Sequence, residues 1–339
     1  MQCAPVLIVT LNRYEHLKRC IDSLRKNKLA EYTDLYIGFD YPPDQKYEKG
    51  YRQVKKYLHG GIEGFHDVII IEHTSNRGVY RNVLDLRATV YKKYDRYIIT
   101  EDDNEFSPNY LEYMNKGLEK YERDDDVLAI SGYCYPIENS SFKGNAFKCG
   151  TYFAAYGYGI WKQKEEEMRK CLNMPFFCGL FRNTTYMKRL ERQSKNQYAN
   201  MVKGMLKYTS DLISGNELRE VDLAYGLYMV ASGKKMVYPV ISKARNWGYD
   251  GTGVNCGEIN FKQQKAVNHR NFLFEKQSID QDKDFSEIVE DLLVTQDQVN
   301  ELMDVYFSIP KKEYIKVKIA YFFSRIIGLN NTQKLIGRN

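Results

Sequence analysis

The chain has 339 residues, enough for one large domain or two ordinary ones, and its 43% of hydrophobic residues can build a sizeable core. The net charge of +6 is modest, and basic residues alternate with acidic ones along the chain, so we do not expect a nucleic-acid partner. Seven dispersed cysteines argue against a disulfide or zinc framework and favour a reducing, cytoplasmic location.

Four short apolar runs in the first hundred residues are typical of buried strands. They are Pro5–Thr10, Leu35–Phe39, Val68–Ile71 and Tyr97–Thr100. Amphipathic helices are predicted between them, one capped by Asn12 and one after the loop at 75–78. This alternation favours an α/β fold with a mostly parallel, Rossmann-like sheet and helices on both of its faces.

In such a sheet the ligand crevice lies at the carboxyl ends of the strands, so Thr10, Asp40 and the acidic triplet Glu101–Asp103 should share one rim. Three adjacent carboxylates repel one another. The triplet is therefore either a solvated turn or a site where a cation offsets the repulsion. A hard divalent cation such as Mn²⁺ or Mg²⁺ suits these oxygen ligands and can bridge them to a diphosphate. Placement at the end of the fourth strand favours the cation.

Beyond residue 125 the pattern is less regular. Strands are predicted at Val127–Ser131 and Met236–Ile241, and helices at 186–206, Val221–Ala231 and 285–306. The segment 150–161 is rich in glycine and aromatic residues, which either form a sugar-stacking wall or pack in the core; for Trp161 we favour the core. The loop "RNWGYDGTGVN", which contains Trp247, is a candidate lid over a ligand.

Several segments resemble successive blocks of a known enzyme family. They are "VLIVTLNRYEHLKRCIDSL", "SNRGVYRNVLDL", "IITEDDNEFSPNYLEYM", "YGYGIW" and "VDLAYGLYMVASGKKMVYPVISKARNWGYDGTGVN". Together they resemble GT-A glycosyltransferases, and most of all the inverting N-acetylglucosaminyltransferases that branch glycans, over residues 4–257. The resemblance implies a GT-A catalytic domain at 1–270, followed by a helical extension at 271–339, in an enzyme of bacterial type.

The resemblance also implies roles for the acidic triplet. Asp103 would be the direct ligand of the metal, in the manner of a DXD motif. Glu101 and Asp102 would contact the ribose or the sugar hydroxyls of the donor, or the waters of the metal. The donor would be a nucleoside-diphosphate sugar, and we expect a UDP-sugar.

Residues that follow the first three strands would hold the nucleotide. By resemblance these are Thr10, Arg13, Asp40, Asn76 and Arg81. Asp40 would accept a hydrogen bond from the base, and Arg81 suits recognition of the diphosphate. Two simpler interpretations remain open: Arg13 could be a solvated residue of the first helical turn, and Asn76 could cap the next helix.

Inversion at an anomeric carbon needs a base on the acceptor hydroxyl. Asp222 matches the position of that base in the family, and it also opens a predicted helix, where a carboxylate is favourable for the helix dipole alone. Glu220 is a nearby competitor for the role. The sequence therefore leaves three interpretations: base at Asp222, base at Glu220, or a helix-terminal residue without a chemical role.

The C-terminal tail carries a different signal. From residue 314 to 329 it can form a helix with one apolar face, made by Ile315, Ile319, Phe322, Phe323, Ile326 and Ile327. Lysines and Arg325 lie nearby. This pattern is typical of a helix at an anionic membrane interface, but also of a helix that docks on its own domain or on a second subunit.

The sequence thus predicts a metal-dependent inverting glycosyltransferase that acts on a glycan or lipid-linked acceptor. It would be cytoplasmic, without a signal peptide or an apolar run of the ~20 residues that span a bilayer, and peripheral on the inner face of the membrane if the tail binds there. The alternatives are a sugar nucleotidyltransferase, which usually needs a glycine-rich loop that "TLNRYEH" lacks, and a non-catalytic carbohydrate-binding or membrane-binding module.

Overall fold

The computed structural model describes residues 3–207, 221–248, 250–252 and 287–336. The strands in these residues are β1 (Val6–Thr10), β2 (Leu35–Phe39), β3 (Val68–Glu72), β4 (Arg96–Glu101), β5 (Asn104–Phe106), β6 (Val127–Ser131), β7 (Ala146–Cys149), β8 (Tyr158–Trp161), β9 (Lys235–Pro239) and β10 (Ala244–Asn246). The helices are α1 (Tyr14–Arg25), α2 (Glu48–His59), α3 (Gly78–Val90), α4 (Tyr110–Lys120), α5 (Lys162–Cys171), α6 (Met174–Arg182), α7 (Thr184–Gln193), α8 (Lys195–Lys207), α9 (Val221–Ser232), α10 (Gln296–Tyr306), α11 (Lys311–Ile327) and α12 (Leu329–Ile336).

The predicted parallel sheet is confirmed in the first hundred residues. Its strands lie side by side in the order β3-β2-β1-β4 and all run in the same direction. Thr10 pairs with Phe39, and Val9 with Glu101, so the carboxyl ends of β1, β2 and β4 lie at one edge. Strands β1 and β2 are buried along their whole length, which explains their continuous apolar sequences.

The second half of the sheet is mainly antiparallel. Strand β8 lies antiparallel between β4 and β6, and β9 and β7 complete the order β3-β2-β1-β4-β8-β6-β9-β7. A separate two-stranded ribbon pairs β10 with β5 and places Asn246 opposite Asn104. This ribbon brings a late part of the chain beside the acidic triplet, because β5 begins directly after Asp103. The fold is the α/β sheet with flanking helices that the sequence predicts.

Three details of the predicted helices are wrong. Asn12 caps no helix: α1 begins at Tyr14, with Arg13 at its N-cap and no capping side chain. The predicted helix at 186–206 is two helices, because Ser194 is extended and its hydroxyl accepts the amide of Gln197 at 3.1 Å. In the predicted helix at 285–306, only residues from 296 onward are helical among those that the structure describes.

The late start of α10 has a local cause. Thr295 and Gln298 form a capping box in which each side chain bonds the backbone of the other, and this fixes the helix start at Gln296. Leu292 and Leu293 precede the cap and are 88% and 68% exposed, so they do not join an apolar helix face. Helix α10 packs against β7, and α11 and α12 pack against α8. Among the described residues, no helix has both the length and the apolar character needed to cross a membrane.

A fully buried carboxylate, Glu165 on α5, joins three other elements, α3, β4 and α9. It forms an ion pair with Arg87 of α3 at 2.8 Å and accepts the hydroxyls of Tyr91, Tyr97 at 2.7 Å and Tyr225 at 3.1 Å. Tyr97 lies on β4 and Tyr225 on α9, which are the elements that carry Glu101 and Asp222. The Glu165 network therefore ties together the two elements that supply candidate active-site carboxylates.

We expect Glu165→Gln to lower the free energy of unfolding by about 3 kcal/mol, because it leaves the buried Arg87 charge without its partner. Urea unfolding monitored by circular dichroism measures the change. The matched control is Glu166→Gln at the next position, where the side chain is exposed; its cost should stay below about 0.5 kcal/mol. Equal stability of the two variants would show that the network contributes nothing.

Candidate active site

The candidate site lies at the carboxyl edge of the parallel strands. The backbone amide of Asp40, directly after β2, donates to the carbonyl of Thr10 at 3.0 Å. The Thr10 hydroxyl donates to Asp102 Oδ2 at 2.8 Å, although 92 residues separate the two in sequence. The ends of β1, β2 and β4 are thus joined by direct hydrogen bonds, as the strand pattern predicts.

The cation that offsets the acidic triplet in this structure is Arg13. Asp102 and Asp103 are buried, with 2% and 4% of their surface exposed, so they do not form a solvated turn. Arg13 Nη2 contacts Asp102 Oδ1 and lies 3.0 Å from Asp103 Oδ2. The alternative that Arg13 is a solvated residue of the first helical turn is therefore wrong, since its guanidinium sits between the two carboxylates.

Asp103 is also held from the other side by the ribbon of β5 and β10. Asn246 Nδ2 donates to Asp103 Oδ1 at 3.0 Å, and the backbone amide of Trp247 donates to the Asp103 carbonyl at 2.8 Å. Asn246 also donates to Asn104 Oδ1 at 2.9 Å. Sequence reasoning missed Asn246: the only local signal was its place in "RNWG", which we interpreted as part of a lid.

Gly248, two residues after Asn246, also lies against Asp103. A Cβ atom at this position would lie 2.2 Å from Asp103 Oδ2, which is too short for a non-bonded contact. Any larger residue must therefore displace the carboxylate or the loop. For the glycosyltransferase that the sequence predicts, we expect Gly248→Ala to lower the rate of sugar transfer by about tenfold to a hundredfold, because a shift of about 1 Å in an active-site group has effects of that size. The rate is measured as release of nucleoside diphosphate with the donor that binds.

Gly179→Ala is the matched control, because a Cβ there meets no atom within 4 Å. It should leave the rate unchanged. If Gly248→Ala were as active as Gly179→Ala, the position of Asp103 would not matter for transfer.

Glu101 differs from its two neighbours because its side chain reaches the surface. Protein atoms around its carboxyl group exclude water from it, and this raises the pKa of Glu101 to about 8. The charges of Asp103 and Asp102 act in the same direction, and Arg13 acts in the opposite one. Burial raises the pKa of Asp102 as well, although Arg13 and the Thr10 hydroxyl act in the opposite direction. The rim is thus an electronegative site that a single arginine only partly neutralises.

Asp222 lies half-buried in the first turn of α9. Its negative charge makes a small contribution to the raised pKa of Glu101, so Asp222 acts electrostatically on the acidic triplet. It also contributes to the raised pKa values of Tyr135 and Tyr238. Glu220, the competing candidate for the base, lies outside the described residues.

Asp40 and Asn76 form the second part of the site. Asp40 is buried, and its Oδ1 accepts the backbone amides of Tyr41 at 2.9 Å and Arg77 at 2.8 Å. Asn76 Nδ2 lies 3.3 Å from Asp40 Oδ2 and 2.6 Å from the Tyr41 carbonyl. The alternative that Asn76 caps the next helix is wrong, because α3 begins at Gly78 with Arg77 at its N-cap and no capping side chain.

Arg81 is the least constrained of the predicted residues. It lies near the start of α3 with an exposed side chain, and among the described residues it forms no ion pair. Its predicted role in diphosphate recognition is therefore untested by the contacts of the described residues.

The two aromatic segments serve mainly as support. Trp161 is buried and its Nε1 donates to the Leu118 carbonyl at 3.1 Å, so its predicted core role is confirmed. The guanidinium carbons of Arg245 and Arg19 lie 3.7 Å and 4.5 Å from the centre of the Trp247 ring. The first part of the predicted lid is therefore anchored, while its residues 249 and 253–255 lie outside the described part.

The donor set of the rim fits a hard divalent cation, since it offers buried carboxylate oxygens beside an exposed one, and such ions prefer oxygen ligands. Such cations are often held by one or two carboxylates plus the phosphates of a substrate, so a complete protein cage is not required. Within the described residues, the group of three whose ligand atoms lie within 4.8 Å of one another is elsewhere, at Asp34, His66 and Asp67. There Lys93 Nζ already pairs with Asp34 at 2.7 Å.

Comparison with known proteins decides the family. The sequence model of the family described as glycosyl transferase family 2 matches residues 6–190. This is more than half of the chain, and it includes Thr10, Asp40 and the acidic triplet. The chain belongs to glycosyl transferase family 2. It is thus a glycosyltransferase that uses a nucleotide-sugar donor, and the nucleotidyltransferase and the non-catalytic module are set aside. A search of curated proteins found no match.

Several solved structures are similar to this chain. TarS 1–349 from S. aureus is 12% identical, with a TM-score of 0.39 over 98% of this chain and 89% of that one. The mannosyltransferase PcManGT from Pyrobaculum calidifontis, in complex with GDP-Man and Mn²⁺, is 10% identical, with a TM-score of 0.36 over 95% and 87%. Mouse xyloside xylosyltransferase 1 is 13% identical, with a TM-score of 0.33 over 68% and 82%. In a longer structure of TarS, the match covers 21% of that chain.

Proposed function

We propose that this family 2 glycosyltransferase is a metal-dependent, inverting enzyme that transfers a hexose or N-acetylhexosamine to a glycan or lipid-linked glycan. The observation that carries the proposal is the buried pair Asp102 and Asp103 at the end of β4, beside Thr10 and Arg13. Buried carboxylates are costly unless something compensates them, so their concentration at the rim argues for a function that needs negative charge there.

The donor side of the proposal uses the rest of the rim. Asp40 has its Oδ1 filled by two backbone amides, so its Oδ2, which faces Asn76, is the oxygen with capacity left for a donor group of the base. Arg81, exposed at the start of α3, would pair with the diphosphate. We propose a UDP-sugar as the donor, with Glu101 and Asp102 close to its ribose or sugar hydroxyls.

The acidic residues would divide the chemistry between them. A divalent cation bound at Asp103 would act as a Lewis acid that stabilises the charge on the departing diphosphate. The acceptor oxygen forms its bond to the anomeric carbon as the bond from that carbon to the phosphate oxygen breaks. Asp222 would accept the proton that the acceptor hydroxyl loses. This assignment is supported by the effect of the Asp222 charge on the acidic triplet.

A thermal-shift panel tests the donor and the metal together. UDP-, GDP- and dTDP-sugars are each added with and without Mn²⁺, because a ligand that binds only the native state raises the melting temperature. We expect one nucleotide to stabilise the chain, and only when Mn²⁺ is present. Stabilisation that is equal with and without Mn²⁺ would contradict metal dependence, and the anomeric configuration of the product, read by NMR, tests inversion.

The organisation of the whole chain is also part of the proposal. We assign the catalytic unit to residues 1–270 and a helical extension to residues 271–339, of which α10, α11 and α12 are described. A lipid-linked acceptor would require the enzyme to work as a peripheral protein at the cytoplasmic membrane surface. That location depends on what the extension binds.

A further inference from the structure

Helix α11 is docked on the enzyme by one narrow face. Val317, Ala320 and Ser324 are buried against the body of the protein. The Tyr321 hydroxyl donates to the Phe181 carbonyl at 3.1 Å, and the Tyr314 hydroxyl donates to Glu191. These contacts fix the rotation of the helix about its own axis, and so determine which side chains point away from the protein.

The outward side of α11 is apolar. Its exposed apolar residues are Ile315 at 49%, Ile319 at 51%, Phe322 at 61%, Phe323 at 40%, Ile326 at 63% and Ile327 at 37% exposure. The first five lie on the outward side, and we call them the ridge. Four of them follow the spacing i, i+4, i+7, i+11, which places them within about 60° of one another around a helix that turns 100° per residue. The ridge runs along about 16 Å of the helix at 1.5 Å per residue. A continuous apolar stripe of this kind on an exposed helix marks an interaction site.

Cations flank the ridge on both sides. Lys312 and Lys316 lie on one side, and Lys311, Lys318 and Arg325 on the other. Lys318 is paired with Glu191 at 2.7 Å, but Lys311, Lys312 and Lys316 form no ion pair among the described residues. The acidic residue of α11, Glu313, pairs with Lys203 at 3.0 Å. Apart from the pair of Lys318 with Glu191, the charge around the ridge is therefore positive.

This charge distribution distinguishes between the two occupants that the sequence leaves open. A second copy of the chain that packed its ridge against this one would bring two sets of lysines together, and like charges in an interface are costly. An anionic lipid surface instead accepts the apolar ridge at the acyl boundary and neutralises the lysines with its headgroups. We propose that the ridge of α11 binds an anionic membrane surface, with the helix lying in the plane of the interface. Membrane binding is argued from α11 alone. Only its use, which is to bring the active site to a lipid-linked acceptor, rests on the proposed function.

Vesicle sedimentation of the full chain tests the proposal. The probes are vesicles of phosphatidylcholine alone and of phosphatidylcholine with phosphatidylglycerol, each at low and high salt. We expect binding to the anionic vesicles to be at least about tenfold stronger than to the neutral ones and to weaken with salt, since the attraction of basic residues is screened. Absence of sedimentation with the anionic vesicles, or equal binding to both kinds, would overturn the proposal.

Two variants separate the contributions of the ridge and its cations. Ile319→Ser with Phe322→Ser removes the centre of the ridge, and Lys311→Glu with Lys312→Glu reverses part of its charge; each should lower vesicle binding by about tenfold or more. The matched control is Val305→Ser, which removes an apolar side chain that is 77% exposed but lies on α10. The proposal fails if the control weakens binding as much as the ridge variant does.

The same variants distinguish this proposal from its competitors. If the ridge joined two copies of the chain, light scattering would show a dimer that the ridge variant dissociates. This result would overturn the proposal, because the ridge would then bind a second copy and not a membrane. The donor-dependent thermal shift should be unchanged in every ridge variant, because the ridge contains no residue of the rim. Loss of vesicle binding with a normal donor shift therefore concerns the membrane surface alone. If no nucleotide sugar raised the melting temperature of the wild-type chain, that result would instead contradict the proposed function.

Discussion

Asp222→Asn is expected to lower the transfer rate by about a thousandfold, because general-base catalysis contributes about 10²–10⁴ and the amide cannot accept the acceptor proton. The substitution keeps the shape of the side chain at its half-buried position in the first turn of α9. Donor binding should remain, since Asp222 is assigned to the acceptor side. The rate is measured as release of nucleoside diphosphate, and donor binding by thermal shift in the presence of Mn²⁺.

A matched control separates a chemical role from a helix-terminal one. Asp297 occupies the first turn of α10 and is exposed, so Asp297→Asn removes a carboxylate with the same relation to a helix dipole. Such a change costs about 0.3–1 kcal/mol of stability at most and should not alter the rate. If Asp222→Asn behaved like Asp297→Asn in both measurements, Asp222 would be a helix-terminal residue, and the base would have to be sought elsewhere.

The sequence predicted the parts of the fold that depend on local pattern. Strands β1 and β2 begin and end within one residue of their apolar runs, because a strand buried on both faces needs an unbroken apolar sequence. The edge of the sheet followed from their alternation with helices, and this placed Thr10, Asp40 and the acidic triplet together. These residues were predictable because each lies at the end of a strand and the rule for strand ends applies to all of them.

The contacts within the site could not be predicted in the same way. Arg13 reaches Asp102 across 89 residues of sequence, and Asn246 reaches Asp103 across 143. No periodicity relates such positions. The sequence therefore suggested that a metal balances the acidic triplet, where Arg13 does so in this structure, and that the segment around Asn246 is a lid, where it holds Asp103 in place.

The predicted helix at 285–306 was wrong for a related reason. Apolar spacing continued across Thr295, but the capping box with Gln298 fixed the start of α10.

Arg13→Gln is expected to lower the free energy of unfolding by about 3 kcal/mol, as much as the loss of the buried Glu165. The Arg13 side chain is 14% exposed and contacts two buried carboxylates, so removing it leaves buried negative charge without a partner. Urea unfolding measures the change. The matched control is Arg25→Gln at the other end of α1, where the pair with Asp22 is exposed and should contribute less than about 1 kcal/mol.

The cost of Arg13→Gln should depend on pH with a definite sign. Burial already raises the pKa of Asp102, and Arg13 lowers it, so the variant should raise this pKa further above its unfolded value. A carboxyl whose folded pKa is raised destabilises the protein most at high pH, where the folded state must release its proton. The stability difference between wild type and variant should therefore shrink as the pH falls toward the pKa of the carboxyl.

Divalent cations provide the decisive comparison, because they can replace the charge that the variant lacks. If the rim binds Mn²⁺ through Asp103, the ion should stabilise Arg13→Gln more than wild type, in which Arg13 occupies an oxygen of the same carboxylate. Arg25→Gln should respond to Mn²⁺ as wild type does. A variant that is destabilised yet indifferent to Mn²⁺ would mean that Arg13 neutralises the triplet as a structural ion pair, and that the metal does not bind these carboxylates in the free enzyme.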